Sequence, residues 1–456
     1  MRKLYYFFIA FSALLIGACN HPPVEEEVDP STLEKLDYSV PVTSNWIFES
    51  VPSFTLQAKN PNSVAVDVEV TVEIRTDKGG IVTTLNKSGK ASANGTTDID
   101  ITADEALDPG FYKARVVASA LDKKKIARSF VFGVRPTAIV SAPDKQADFD
   151  EFWSSTLSQL EAIDMAPRLV EVSTSGSRKI YLVEFNSIPD GLSGEPVKVR
   201  GYYCEPQDGQ KHPVLMHFFG YDSNPPGAMG LYSGVSADYA EMYMCTRGQM
   251  INARAASQRG DGVKEDYTNI YGDWFAAGFG QRDAYYYRGA FMDCVQAVRF
   301  MATRPTSDMN NLYAEGSSQG GALSYATAAL SPYPFNAIAP NVAFLGDFPD
   351  YFQIVSWPGN TAKAKKDSMT DEEMYAFLSY FDTKNLATRL GATAVLATIG
   401  LQDGTCPPHT NIAPYNNIPH SNKEIHYYPE MEHSYPPNWD AMYLNFFKKY
   451  QATTCQ

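Results

Sequence analysis

The tightest constraint on this chain is a run of six residues, Gly316-Ser317-Ser318-Gln319-Gly320-Gly321, set between an apolar strand and a helix. Leu312-Tyr313-Ala314-Glu315 has the character of a strand, and Ala322-Leu323-Ser324-Tyr325-Ala326 that of a helix. A strand that turns sharply into a helix brings the two backbones so close that only small residues fit beside the turn, and the glycines supply that room. Such a turn lifts Ser318 to the head of the helix, where unpaired N–H groups and the helix dipole favour negative charge. Ser318 is therefore the expected nucleophile.

A serine hydroxyl is a weak nucleophile at neutral pH and needs a base, which in turn needs an orienting acid, expected in the chain order Ser, Asp or Glu, His. Asp403 follows the apolar strand Ala394 to Gly400, on the loop at its C-terminal end, and His433 follows the strand Ile425 to Tyr428. His409, His420 and His426 also lie after Asp403, but His426 sits inside a strand and His409 follows too closely to return from another one. The oxyanion formed by attack on a carbonyl needs two aimed donors. The backbone N–H of Gln319 is the first, and the N–H of Tyr221, on the loop after the strand Val214 to Phe219, is the expected second.

The surroundings divide at Arg135-Pro136 and Ala142-Pro143. Before them, Val66, Val68, Val70, Val72 and Ile74 alternate with Asp67, Glu69, Thr71 and Glu73, the period of a strand with one buried face. Lys78-Gly79-Gly80 supplies a turn, and Asp108-Pro109-Gly110 leads into a strand with Tyr112, Ala114 and Val116 inward. Residues 36–135 are expected to form an immunoglobulin-like β-sandwich, a spacer on its simplest reading. Beyond the hinge, Phe149, Phe152, Trp153, Leu157 and Leu160 recur at helical spacing, and strand runs then alternate with helices, Tyr286 to Met301 among them. Residues 136–456 thus predict a mostly parallel sheet flanked by helices.

At the N-terminus, Arg2 and Lys3 precede an apolar run from Leu4 to Leu15 that is too short to span a bilayer. Ile16-Gly17-Ala18-Cys19 resembles a bacterial lipobox, so residues 1–18 read as a lipoprotein signal peptide and Cys19 as the lipidated residue. Residues 19–35, with Glu25-Glu26-Glu27 and three prolines, read as a solvated tether from a cell-envelope membrane, periplasmic or surface-facing. The other five cysteines form neither a disulfide framework nor a zinc pattern, and buried free thiols are expected. A net charge of -14 argues against a nucleic-acid partner.

From about Asp148 to Tyr450 the chain resembles the acetyl xylan esterase and cephalosporin C deacetylase family, carbohydrate esterase family seven. The motifs that carry the resemblance are Asp148-Phe149-Asp150-Glu151-Phe152-Trp153, Thr246-Arg247-Gly248-Gln249, Tyr285-Tyr286-Tyr287-Arg288-Gly289, the Ser318 turn, Tyr380-Phe381-Asp382, and Gly400-Leu401-Gln402-Asp403-Gly404-Thr405-Cys406-Pro407-Pro408. The resemblance implies an α/β-hydrolase fold and removal of acetyl groups from sugar hydroxyls by Ser318, Asp403 and His433, with no metal or cofactor. It also implies a homo-oligomer as one form of assembly. Arg247 is expected to tie loops together through its guanidinium. Trp357, with Tyr351 and Phe352, is expected either as a lid or sugar platform or as packing within the lid. The chain departs from the family at Ser434, where the family usually has Glu, and altered local contacts are expected there. Two other readings stand beside this one: a prolyl-oligopeptidase-like serine peptidase, and a non-catalytic glycan-binding lipoprotein.

Overall fold

Valine alternation sets the larger of two β-sheets in the N-terminal region of the computed structural model, which describes residues 29–452 except 122, 192–193, 223–227, 230–233 and 252–269. The expected signal peptide, Cys19, most of the tether and Cys455 lie outside the described residues. Strands β1 (Asp37–Ser39), β2 (Ile47–Phe48), β3 (Ser53–Asn60), β4 (Val66–Thr76), β5 (Ile81–Ala91), β6 (Gly95–Thr102), β7 (Gly110–Ala120) and β8 (Lys123–Val134) make a sheet of order β1-β3-β6 and another of order β2-β8-β7-β4-β5. Val66, Val68, Val70, Val72 and Ile74 of β4 are all buried, each contributing about 1.5–3 kcal/mol relative to exposure. The sheets meet through aromatic rings. Phe54 of β3 stands edge-on to Phe130 and Phe132 of β8, 5.1 Å from each centroid, and Trp46 stacks on Phe130 at 4.2 Å. The last residues assigned to the tether dock here: Asn62 accepts from Glu34 N–H at 2.7 Å and donates to its carbonyl at 2.9 Å.

The expected helix after the hinge is α1 (Phe149–Glu161), which buries Phe149, Phe152, Trp153 and Leu160. Three antiparallel strands that the sequence reading did not single out come next: β9 (Arg168–Ser175), β10 (Arg178–Pro189) and β11 (Pro196–Pro206). Then follow β12 (His212–Phe218), a two-residue pair formed by β13 (Ala228–Met229) and β15 (Met250–Ile251), β14 (Ala240–Cys245), α2 (Tyr286–Ala302), β16 (Ser307–Ser317), α3 (Gln319–Leu330) and β17 (Ala337–Asn341). The chain continues through α4 (Phe348–Ile354), α5 (Gly359–Lys365), α6 (Asp371–Leu378), α7 (Thr383–Ala387), β18 (Ala394–Gly400), α8 (Pro408–Asn416), β19 (Lys423–Tyr428) and α9 (Trp439–Lys449).

Nine strands form one mixed sheet, β19-β18-β17-β16-β12-β14-β11-β10-β9, parallel from β19 to β14 and antiparallel from β14 to β9. Alternation along each parallel strand feeds two cores. Val214, Met216, Leu312 and Ala314 belong to the large core that includes α2 and α3, while Leu215 and Tyr313 face Tyr443, Phe446 and Phe447 of α9. Helix α2 is buried on nearly every side rather than only along one stripe, because α1, α3 and the sheet enclose it. The parallel strands all point their C-terminal ends one way, and the loops of Tyr221, Ser318, Asp403 and His433 leave from those ends.

Candidate active site

Ser318 sits between β16 and α3 with φ 59° and ψ -119°, a conformation that costs a non-glycine residue on the order of 1–3 kcal/mol. The neighbourhood holds it there. Ser318 N–H donates to the Asn341 carbonyl at 2.9 Å, and its own carbonyl accepts from Phe344 N–H at 3.0 Å. A methyl group at Gly320 would overlap the Phe218 carbonyl, and one at Gly316 would meet the Gly320 backbone. The glycines are therefore a steric requirement of the turn.

His433 joins the expected trio. Its Nε2 lies 2.9 Å from Ser318 Oγ and its Nδ1 2.7 Å from Asp403 Oδ2. Asp403 Oδ1 accepts from the N–H groups of Thr405 and Cys406, each at 2.8 Å, so one carboxylate oxygen is fixed by its own loop while the other faces the imidazole. A carboxylate on Nδ1 selects the tautomer protonated there and leaves the Nε2 lone pair toward the serine hydroxyl. This arrangement can transfer the Ser318 proton to His433 as the oxygen attacks a carbonyl.

The segments that carry the two expected oxyanion donors lie next to the serine. Gln319 begins α3, where a first-turn N–H has no helical acceptor, and a Cβ built at Gly220 would lie 4.0 Å from Ser318 Cβ, which brings the Gly220–Tyr221 stretch alongside. Tyr221 is fixed by its side chain: the hydroxyl donates to Asp273 Oδ1 at 2.5 Å, and the ring packs edge-on to Trp274 and Trp357. Tyr287 OH donates to Gln319 Oε1 at 2.9 Å.

Arg247 lies buried away from the reacting atoms. Its Nε and Nη2 donate to Asp293 of α2 at 2.9 and 2.7 Å, and Nη2 also reaches the Ile188 carbonyl of β10 at 3.1 Å, so it ties its loop to a helix and a strand. Gly248 has φ 80°, a backbone that suits glycine, and Gln249 Nε2 donates to the Gly220 carbonyl at 3.4 Å. Tyr351 and Phe352 are buried; Tyr351 OH donates to the Thr405 carbonyl at 2.7 Å, on the Asp403 loop, while Phe352 packs among Phe275, Phe348 and Tyr375. Trp357 is half-buried and stacks on Phe344 at 5.3 Å.

One contributor escaped the sequence reading. Asn341 is fully buried at the end of β17; its Nδ2 donates to Ser317 Oγ at 2.8 Å and to the Ser434 carbonyl at 3.0 Å, and its Oδ1 accepts from Thr398 Oγ1 at 2.7 Å. It stitches the serine turn to the histidine loop through the backbone of residue 434, a contact indifferent to which side chain stands there. Nothing marks it in the sequence beyond its place at a strand end. Cys406 is buried beside Asp403, Tyr351 and Ser318; burial, and then the Asp403 charge, push its thiol well above the ordinary range, which makes it an inert neighbour rather than a second nucleophile. Cys204, Cys245 and Cys294 are likewise buried.

A second serine–histidine contact, Ser141 Oγ to His409 Nε2 at 3.4 Å, is of another kind. His409 has Asp77 on Nδ1 at 3.2 Å and both Asp347 and Asp350 on Nε2, at 3.2 and 3.0 Å. Burial alone would lower its pKa, but hydrogen bonds to Asp347, Asp350 and Asp77 outweigh it and raise the value to about 11. A histidine held charged in this way accepts no proton from serine. Asp347, Asp350 and His409 also form the one convergence of possible metal donors among the described residues, yet Lys384 and Lys78 stand against the two carboxylates at 3.0 and 2.5 Å, and the cluster is already balanced by protein cations.

Residues 139–450 match the acetyl xylan esterase (AXE1) family. The acetyl esterase Axe7A of Xylanibacter ruminicola is 26% identical over 407 residues, which cover 85% of either chain. Among solved structures, acetyl xylan esterase 1 from Thermoanaerobacterium sp. superposes with a TM-score of 0.56 at 26% identity, over 69% of this chain and 98% of that one. The acetyl xylan esterase from Paenibacillus sp. R4 superposes with a TM-score of 0.57 at 27% identity, over the same shares. Neither a peptidase nor a non-catalytic glycan binder is favoured by these matches. The mixed sheet with covering helices is that of an α/β-hydrolase, the activity class is serine carboxylic-ester hydrolysis, and the chain belongs to the acetyl xylan esterase family.

Proposed function

We propose that this chain deacetylates O-acetylated carbohydrates, acetylated xylan or its oligosaccharides, with Ser318 as nucleophile, His433 as general base and acid, and Asp403 as the carboxylate that orients the imidazole. The observation that carries the proposal is His433 bridging Ser318 and Asp403 at 2.9 and 2.7 Å, on three loops that leave the same edge of the sheet. Ser318 Oγ attacks the acetyl carbonyl while His433 Nε2 takes its proton; the oxyanion is stabilised by Gln319 N–H and Tyr221 N–H; His433 returns the proton to the departing sugar oxygen. Water, deprotonated by His433, then hydrolyses the acetyl-enzyme, releasing acetate. Purified Ser318→Ala protein should keep its fold and lose acetate release from acetylated xylan; turnover at the wild-type rate would remove Ser318 from the mechanism.

The N-terminal sheets support an immunoglobulin-like sandwich, since an aromatic layer of Phe54, Phe130 and Phe132 joins them face to face. The chain is further proposed to be an exported lipoprotein, divided at 18, 35 and 135 as its composition suggests and anchored through Cys19. Cys19→Ser protein expressed in a lipoprotein-processing bacterium should leave the membrane fraction; retention there would refute the anchor. Association of copies is tested by the mass of the purified protein in solution.

A further inference from the structure

Among other places, the N-terminal sheets touch the rest of the molecule at the two loops on which the reaction depends. Val131, on the outer edge of β8, presents both its backbone groups to one side chain: its N–H donates to Gln402 Oε1 at 2.9 Å, and its carbonyl accepts from Gln402 Nε2 at 3.1 Å. One amide thus satisfies the sheet edge as a further strand would. The same Nε2 donates to the Pro429 carbonyl at 2.7 Å, and Gln402 N–H donates to the Met431 carbonyl at 3.0 Å. Gln402 therefore grips β8 on one side and, on the other, the segment that leads into His433, while being covalently joined to Asp403.

Three further ion pairs join the same two parts of the chain. Arg128, also on β8, donates to Glu430 Oε1 at 2.8 Å, and is itself held by the Val40 carbonyl at 3.0 Å and by the Trp46 ring at 4.5 Å. Asp77 and Lys78, on the turn between β4 and β5, reach His409 and Asp350 at 3.2 and 2.5 Å. A mere spacer has no reason to place its contacts beside a catalytic acid and base. We propose that the N-terminal sheets are part of the catalytic scaffold, and that Gln402 is the positioning residue through which β8 holds the loops of Asp403 and His433 in register.

The proposal rests on the roles given above to Asp403 and His433. Misplacing reacting groups by about 1 Å costs roughly a hundredfold in rate, and releasing one of several ties should cost less. In the full-length protein, Gln402→Met keeps the side-chain bulk and removes the amide; hydrolysis of 4-nitrophenyl acetate should then show kcat roughly tenfold lower with KM within about twofold of wild type. Val131→Pro removes one donor from the N-terminal side and leaves the β7 pairing intact, since that N–H faces Gln402. It should reproduce part of the loss, and the double variant should be no slower than Gln402→Met alone, because both changes break one interaction. Thermal melts establish that each variant is folded; should Gln402→Met fail to fold, Val131→Pro and Arg128→Ala carry the same kinetic test. Wild-type kcat in folded Gln402→Met, or losses that multiply in the double variant, would overturn the positioning role. Ser318→Ala tests the underlying mechanism separately, since failure of the brace leaves activity that still depends on Ser318.

Discussion

Three histidines of the molecule stand against a carboxylate through Nδ1, and they do two different things with the other nitrogen. At the edge of the sheet, His433 meets Asp403 at 2.7 Å and turns Nε2 to a hydroxyl. At the seam with the N-terminal sheets, His409 meets Asp77 at 3.2 Å and turns Nε2 to two further carboxylates. Within the large sheet, His217 of β12 repeats the second pattern, with Glu315 of β16 on Nδ1 at 2.7 Å and Glu241 of β14 on Nε2 at 3.1 Å. An imidazole between acceptors must donate from both nitrogens and is held as a cation; an imidazole between a carboxylate and a hydroxyl keeps a lone pair for the hydroxyl proton. Catalytic competence therefore lies in the second partner, and a histidine–carboxylate pair alone does not identify a base.

The comparison breaks first in kinetics. His433→Ala should lower kcat for acetate release by roughly 10⁴-fold or more, the scale of losing a triad member, whereas His409→Ala should stay within about tenfold of wild type. Comparable losses at both positions would mean that His409 shares in proton transfer. Asp403→Asn should cost roughly 10⁴-fold, since the amide favours the wrong tautomer of His433 while filling the same space. A loss of less than tenfold in that variant would show that the backbone, rather than the carboxylate, orients the ring.

Ser318, Asp403 and His433 were legible because each stands next to a strong local pattern: a glycine-lined turn, or the end of an apolar strand. The serine turn constrains sterics over a few residues, and sterics of that range can be read from one dimension. Tyr112, Ala114 and Val116 were legible for the same reason, as period-2 alternation states which face is buried. Strands β9 to β11 were not singled out. Their burial is interrupted along β9 by exposed positions, while β11 reads as a nearly continuous buried run, so neither announces itself by clean alternation. Asn341, Gln402 and His409 were illegible in role, because each acts on a segment far away in the chain: Asn341 on Ser434, Gln402 on Val131, His409 on Asp77. A spacer and a scaffold have the same sequence until the contacts are known.

Stability is where the seam should outrank the active site. Removing the cation from a buried cluster leaves carboxylates facing one another, and breaking such a pair costs about 3–5 kcal/mol. His409→Ala should therefore lower the midpoint of urea unfolding markedly. His433→Ala should change it little, because His433 is partly exposed and touches one carboxylate. Equal midpoints for the two variants would show that Lys78 and Lys384 alone neutralise Asp350 and Asp347.

The smallest expected effect is a pH slope that separates His217 from His433. Burial by itself would lower the pKa of His217; its hydrogen bonds to Glu241 and Glu315 outweigh that and raise it to about 9. Arg178 shares Glu241 at 2.7 Å, and Tyr243 stacks on the ring at 4.0 Å. A group whose folded pKa is raised binds its proton more tightly in the folded chain, so its contribution is complete below its ordinary value near 6.5 and is lost as pH climbs through about 9. The melting temperature of the wild type should accordingly fall between about pH 6.5 and 9 by more than that of His217→Gln, which keeps polar reach but has no proton to lose. The difference between the two curves isolates His217 from every other group that titrates in that range. Parallel curves would mean that Glu241 and Glu315 do not hold His217 charged, and the contrast with His433 would then rest on His409 alone.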